Sequence, residues 1–277
     1  MALSLKRAGA LNSSRIQAAS DRLVDGDRTG TISRFRALAS DSAFSTNVSA
    51  DKVEVFDEHG EILDARAVKL HHAGGDETAA SLAFAAEQDS RGQWLVRRTG
   101  FESLWRGGHG LVYGAVNAGG MGAEDPRYGP FCLVIEDPAS RADEIAVFPS
   151  NSAERYCSES GEVDRELARS EAVTWRNREH LATVERAGDV PGTPPEAWPH
   201  LVCSPSRYLE AVVTPGPPLE SVDAVRVRDG YLARLADLTV AGSQDPLEAA
   251  TEQRELNAIE IVRRWRADYG ITIEAVG

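Results

Sequence analysis

The sequence predicts an α+β fold in which a mixed, largely antiparallel sheet is surrounded by helices. Three short apolar runs, Phe131–Glu136, Tyr208–Thr214 and Val222–Val227, are typical of strands. One long segment, Asp245–Tyr269, has its apolar residues at helical spacing. Strand and helix patterns do not alternate regularly along the chain, which argues against a doubly wound parallel sheet.

Residues 1–50 are expected to form a helical N-terminal segment. Apolar residues recur at helical spacing in Arg15–Val24, and Thr31–Leu38 is a second short helical stretch. Lys52–Phe56 then alternates as a strand does. After a turn the chain returns through Glu61–Leu63, which predicts a hairpin.

The middle of the chain combines two further strand predictions with one helix. Ala65–His71 and Gln93–Arg98 resemble strands, and the alanine-rich segment Glu77–Gln88 between them favours a helix. Seven glycines follow between residues 107 and 122. Such a density is typical of backbone that takes a positive φ or approaches another group closely.

In the second half of the chain, the helical stretches of Val163–Val184 precede a proline-rich loop, Asp189–Pro199. This loop is the one candidate domain boundary, and it resembles an internal connection. We therefore expect a single globular domain over residues 1–277.

The last helix has the strongest sequence signals. Asp245 and Glu248 match a capping box at its start, and Gly270 stands where a helix commonly ends. Its apolar face, which includes Leu256, Ile259 and Trp265, is expected to pack on the body of the protein.

Charge and cysteine content narrow the classes of function. The chain has 30 Lys and Arg against 43 Asp and Glu, a net charge of -13 that disfavours nucleic acid and anionic lipid as partners. Its three cysteines form no CxxC pair, so neither a zinc ribbon nor a disulfide framework is indicated, and Cys132 and Cys203 are expected in the core. Because no secretory leader or membrane-spanning run is evident, a cytoplasmic protein is expected.

Several common catalytic motifs are absent. The sequence contains no P-loop, HExxH, GxSxG or EF-hand pattern, and its glycine-dense segment does not fit the GxGxxG fingerprint. His71 and His72 are adjacent, and on a strand they would point to opposite faces. No metal site is therefore predicted.

Two segments carry a resemblance to known proteins. They are VYGAVNAGGMGAEDPRYGPFCLVIEDP, Val112–Pro138, and RYLEAVVTPGPPLESVDAVRV, Arg207–Val227. Together they resemble an uncharacterised bacterial family that has a YGALN-like stretch, an RYG-type turn into a strand, and a late YIEA-type strand. More distantly, their order is similar to ADP-ribosyltransferases, which have an Arg or His on an early strand, a Tyr or Ser in a middle element and a Glu on a late strand.

The resemblance implies an enzyme that cleaves NAD and transfers ADP-ribose to a protein or small-molecule acceptor. It implies a catalytic set of Glu210, Tyr113 and either His71 or Arg98. The cofactor-binding residues that it implies are Gly107, Gly108, His109 and Arg127.

In such chemistry Glu210 would stabilise the sugar cation that forms as nicotinamide leaves, and Tyr113 would stack on nicotinamide. A His or Arg would hold the ribose or the pyrophosphate. Glu210 is expected to work ionised, in a pocket floored by Gly107–Gly122 with Tyr113 on the opposite wall.

Other interpretations of these residues stay open. A Glu on a strand usually lies on the solvent face of a half-buried sheet, and Tyr113 could be an ordinary packed aromatic. The net charge also suits a non-catalytic interaction protein that binds a basic partner by electrostatic attraction.

Overall fold

The computed structural model describes residues 4–91, 93–120, 129–229, 231, 233 and 246–276. It confirms the α+β class. The described helices are α1 (Leu5–Gly26), α2 (Thr31–Ser40), α3 (Ala50–His59), α4 (Ala65–His72), α5 (Glu77–Arg91), α6 (Gln93–Ser103), α7 (Ser152–Tyr156), α8 (Arg165–Glu171), α9 (Arg178–Arg186), α10 (Trp198–Val202) and α11 (Pro246–Tyr269). None of them is long and apolar enough to cross a membrane.

The strands form an eight-stranded mixed sheet and a separate two-stranded hairpin. They are β1 (Ala43–Val48), β2 (Val112–Asn117), β3 (Phe131–Ile135), β4 (Ile145–Phe148), β5 (Val173–Thr174), β6 (Cys203–Ser204), β7 (Arg207–Tyr208), β8 (Glu210–Val213), β9 (Ala224–Arg228) and β10 (Thr272–Val276). The order in the large sheet is β10-β9-β3-β1-β2-β8-β4-β5, and β6 pairs with β7.

All neighbouring strands of the large sheet are antiparallel except β9 and β10, which are parallel. A parallel pair needs a long crossover, and the connection between these two strands contains α11. The sheet is therefore largely antiparallel, as the sequence predicts.

Apolar side chains cover both faces of the sheet. One face carries Phe44 and Leu133 and packs against helices that include α3, α9 and α11. On the other face, Phe148 and Val212 pack with Phe101 of α6 and with residues of α7 and α8. The central strands are consequently buried on both sides.

Several predicted elements are confirmed. Phe131–Glu136 corresponds to β3 and Val222–Val227 to β9, while Tyr208–Thr214 divides into the end of β7 and the whole of β8. The segments predicted as the first, second and alanine-rich helices fall within α1, α2 and α5. Val163–Val184 contains α8 and the start of α9, with the short strand β5 between them.

Three strand predictions are wrong. Lys52–Phe56 lies in α3, Ala65–His71 in α4 and Gln93–Arg98 in α6. In α3 the buried residues include Val53 and Phe56, whose separation of three also fits one helix face. The apolar residues of these short segments fit both the two-residue period of a strand and the 3.6-residue period of a helix. The pattern alone therefore could not distinguish a strand from a helix.

The predicted hairpin is also absent, because Glu61 instead pairs with Pro218 in an isolated bridge. The chain's first strand is β1, which lies inside the segment expected to be helical. Its alternation of Phe44 and Val48 with polar residues is a strand signal.

The C-terminal helix packs on the core, but through a face that differs in part from the predicted one. Trp265 is buried together with Ala258, Ile261 and Val262, whereas Ile259 and Leu256 are only partly buried. Trp265 is completely buried, and its indole Nε1 donates a hydrogen bond of 2.7 Å to Asp57 Oδ1 on α3. Gly270 follows the helix with a φ of 76°, a conformation that suits glycine. The predicted cap Asp245 lies outside the described residues, and the Glu248 side chain is likewise not described.

Candidate functional site

A cavity of about 1050 Å³ is lined by strands of the large sheet and by several helices. Strands β1, β2 and β8 form its floor, and residues of α3, α4, α6 and α11 line its sides. Ser45, Ala115 and Glu210 stand side by side on these strands, so their side chains share one face. Tyr113 lies two residues from Ala115 and points to the same face.

Glu210 is the first residue of β8 and is only 5% exposed. Its neighbours Leu209 and Ala211 belong to the core on the opposite face, so the period of the strand turns the carboxylate toward the cavity. One carboxylate oxygen accepts a hydrogen bond of 3.0 Å from the backbone N–H of Ser152, at the start of α7. The usual solvent-facing position of a strand Glu therefore does not apply here.

Burial raises the pKa of Glu210 to about 7, although Ser152 and the positive charge of Arg98 oppose this effect. The expected hydrogen-bond donor and Arg are thus present, but they do not keep the group fully ionised. A carboxyl with a pKa near neutrality can both donate and accept a proton at physiological pH.

Arg98, Tyr113 and Glu102 form a contact network beside Glu210. The guanidinium carbon of Arg98 lies 4.0 Å from the centroid of the Tyr113 ring. Arg98 Nε donates to Glu102 Oε1 at 2.9 Å, and the Tyr113 hydroxyl donates to the same oxygen at 3.2 Å. These contacts fix both the cation and the ring.

The charge states in this network follow from its contacts. Burial raises the pKa of Tyr113 well above its usual value, which keeps its hydroxyl protonated. Burial alone would lower the pKa of Arg98, but Tyr113 and Glu102 raise it overall, so the guanidinium stays charged. The network therefore presents a permanent cation and a neutral phenol.

Local sequence explains the position of Glu102. Arg98 and Glu102 are one turn apart on α6, where side chains meet at a spacing of four residues. Gly108 packs directly against the backbone of Glu102, and a Cβ at Gly108 would lie 1.8 Å from the Glu102 carbonyl oxygen. Part of the glycine-dense segment thus supports α6.

The structure brings three of the four predicted catalytic residues, Glu210, Tyr113 and Arg98, to the cavity. Their arrangement differs from the expected one, since Tyr113 lies on the strand next to Glu210 and not on an opposite wall. Of the described residues in Gly107–Gly122, those at 111–115 line the cavity, together with residues of β1 and β8.

His71 does not line the cavity, which corrects its predicted place in the set. It lies on α4, where its Nδ1 is 3.1 Å from His59 Nε2 and its Nε2 is 3.5 Å from a Glu58 carboxylate oxygen. The adjacent His72 lines the cavity instead.

The predicted cofactor-binding residues are also placed differently. Gly107, Gly108 and His109 lie outside the cavity lining, and the close approach that Gly108 permits is to Glu102. Arg127 lies outside the described residues.

Sequence reasoning missed several residues of the site. Ser45 and Asn47 line the floor from β1, and Glu102 holds Arg98 and Tyr113. Of the predicted core cysteines, Cys132 is buried, whereas Cys203 is partly exposed and lines the cavity. The alternation in β1 was the signal that could have identified Ser45 and Asn47.

No group of three or more His, Cys, Asp or Glu in the described part of the chain could hold a metal ion. Among the groups that line the cavity are the buried carboxyl of Glu210 and the buried guanidinium of Arg98. Comparison with family models, curated proteins and solved structures found no match for the chain.

Proposed function

We propose that the cavity binds NAD and that the protein is an ADP-ribosyltransferase-like enzyme with Glu210 as its catalytic carboxylate. One observation carries the proposal. A buried carboxyl with a pKa of about 7 shares a cavity with a fixed cation–aromatic pair. The cavity volume of about 1050 Å³ is large enough for an extended organic ligand.

Glu210 supplies negative charge to the reacting ribose. As the bond from the ribose to nicotinamide breaks, nicotinamide leaves with the electron pair and positive charge develops on the sugar. An ionised Glu210 at this position stabilises that charge, more strongly in a desolvated cavity than in water. Because its pKa is about 7, a positively charged ligand nearby shifts Glu210 toward its ionised form.

Tyr113 and Arg98 orient the ligand in this proposal. Tyr113 offers an aromatic surface on the strand next to Glu210, and Arg98 donates hydrogen bonds to ribose or phosphate oxygens. Glu102 holds both side chains and acts as a positioning residue. The acceptor, a protein or small molecule, forms the new bond to the ribose and loses a proton.

The experiment measures NAD binding and nicotinamide release by the purified protein. NAD is expected to raise the melting temperature, and nicotinamide is expected to accumulate with time. Glu210→Gln keeps the shape and an oxygen for the Ser152 N–H but removes the charge, so it should abolish release. Glu220→Gln, at an exposed position outside the cavity lining, is the matched control and should behave as the wild type.

Two results would contradict the proposal. One is a melting temperature that NAD does not change, with no nicotinamide released. The other is a Glu210→Gln variant that releases nicotinamide at the wild-type rate, since the carboxylate would then have no part in the reaction.

A further inference from the structure

One row of side chains crosses five strands of the large sheet on the face that carries Glu210. In order, with each directly opposite the next, the row consists of Val134, Ser45, Ala115, Glu210 and Phe148. Ala115, at the centre, is partly exposed, whereas the other four are exposed by 5% or less. The row is therefore open at its middle and closed on both sides.

The two ends of the row differ from its centre in what surrounds them. Val134 belongs to an apolar cluster of residues from β1, β3 and β9, and Phe148 belongs to a second cluster that includes residues of α6 and α7. Ser45, Ala115 and Glu210 line the cavity, and neither end residue does. The cavity thus reaches the sheet between two apolar clusters, over a strip of polar and small side chains.

The small size of Ala115 creates a depression in this strip. Neighbouring strands lie about 4.8 Å apart, which puts the Cα atoms of Ser45 and Glu210 about 10 Å from each other. Between them in the row stands a single methyl group, that of Ala115. Because strand side chains stand roughly perpendicular to a sheet, Ser45 and Glu210 form the two walls of what we call the Ala115 depression.

Further contacts set the chemistry of these walls. The Asn117 side-chain amide donates to Ser45 Oγ at 3.1 Å, so the Ser45 hydroxyl is held in place and keeps its own proton to donate. On the opposite wall, Glu210 presents its carboxyl group. Tyr113, two residues before Ala115 on β2, adds an aromatic ring at one end. A hydrogen-bond donor, a carboxyl group and an aromatic surface therefore border one depression.

We infer that Ala115 determines the ligand specificity of the site, because the Ala115 depression receives the nicotinamide ring of NAD. The ring lies on the Ala115 methyl group, its carboxamide oxygen accepts a hydrogen bond from Ser45, and its bond to ribose lies beside Glu210. A planar ring fits between two walls that are separated by one strand, and its amide matches the donor on one of them. The inference deepens the proposed function and rests on it for the identity of the complete ligand.

The test uses NMR titration of the purified protein with nicotinamide and, separately, with ADP-ribose, which is NAD without nicotinamide. Ala115→Leu fills the depression and should weaken nicotinamide binding by about tenfold or more, because a side chain that overlaps the ring has the cost of overpacking. The affinity for ADP-ribose should change by less than about threefold. Ala115→Ser, which keeps a small side chain, should bind both ligands as the wild type does.

Ala275→Leu is the matched control, because Ala275 is exposed on β10 of the same sheet and does not line the cavity. It should leave both affinities unchanged. Melting curves accompany each titration. Larger apolar residues suit strands at least as well as alanine does, so Ala115→Leu should keep the melting temperature of the wild type. A marked fall in both Ala115→Leu and Ala115→Val would overturn the inference, because the protein itself would then fill the space above Ala115.

Three binding results would also overturn the inference. They are no nicotinamide binding by the wild type, equal nicotinamide affinity in Ala115→Leu and the wild type, or an equal loss of affinity for ADP-ribose, which would place another part of the ligand in the depression. The outcome is separable from that of the proposed function. If nicotinamide binding depends on Ala115 but NAD is never cleaved, the ring site stands and the proposed reaction fails. If Ala115→Leu cleaves NAD at the wild-type rate, the reaction stands and the inference fails.

Discussion

Arg98 and Tyr113 are fixed against each other by a shared partner. The Arg98 guanidinium lies over the Tyr113 ring at 4.0 Å, and both side chains donate hydrogen bonds to one oxygen of Glu102. The orientation of the cation and ring beside Glu210 therefore depends on a third residue on α6.

Replacing Glu102 should destabilise the protein and disorder this pair. Glu102→Ala leaves the Arg98 charge and the Tyr113 hydroxyl without their partner in a buried place, which should cost about 3–5 kcal/mol. Glu102→Gln keeps an oxygen and should cost less. Urea unfolding measures both. Glu159→Gln, at an exposed position, is the control, and an equal loss there would contradict the prediction.

The buried carboxyl of Glu210 should make stability depend on pH in a defined direction. Its folded pKa of about 7 lies above the usual value of 4.5, so the folded protein binds this proton more tightly than the unfolded chain does. Stability from this group is fully present below pH 4.5 and is lost as the pH rises through about 7.

Glu210→Gln removes this dependence. Relative to the variant, the wild type should lose about 3 kcal/mol of unfolding free energy between pH 4.5 and 8. This is the free energy that corresponds to the difference between the folded and unfolded pKa values of Glu210. Denaturant unfolding at a series of pH values measures the difference. If the difference between wild type and variant is constant across this range, Glu210 titrates normally and is not desolvated.

Removing the Trp265 side chain should lower the free energy of unfolding more than most other substitutions in α11. The ring is completely buried and its Nε1 hydrogen bonds to Asp57, so Trp265→Ala should cost about 3–5 kcal/mol. Trp265→Phe, which keeps most of the apolar volume, should cost less. Tyr269→Ala on the same helix is the control, because Tyr269 is 41% exposed. A melting temperature unchanged by Trp265→Ala would show that the helix does not contribute to the core.

The three cysteines should differ in reactivity toward iodoacetamide. Cys132 is fully buried, and burial raises the pKa of the Cys157 thiol to about 11, so both should react slowly. Cys203 is partly exposed and lines the cavity, and it should be modified first. Peptide mass spectrometry identifies the site. Since Cys203 lies in the cavity, NAD or ADP-ribose should slow its modification, and an unchanged rate at saturating ligand would place the ligand elsewhere.

The sheet was more predictable from sequence than the helices around the cavity. Strands β3, β8 and β9 are short, apolar and bounded by turn residues, which is a pattern that few alternatives fit. By contrast, α3, α4 and α6 contain short apolar groups compatible with either period. Their identity is decided by tertiary packing, as the burial of Val53 and Phe56 against the core shows.

The candidate site was predictable only in part for a similar reason. Glu210 and Tyr113 lie in the segments that carry the resemblance, and Arg98 was the Arg-type alternative. Glu102 has no such signal, because a charge pair four residues apart on a helix ordinarily marks a solvent-exposed face. Its burial depends on α6 packing beside β2, a contact that no local pattern predicts.

The contact between Trp265 and Asp57 also bears on how the protein is made. The two residues are 208 positions apart, and α3, which holds Asp57, contributes Lys52 to the cavity. During synthesis the ribosome releases α3 before α11, so the α3 surface that receives Trp265 stays uncovered until α11 has emerged. Because α11 also lines the cavity, the cavity is complete only from that point, and ligand binding should begin only after α11 has packed on α3.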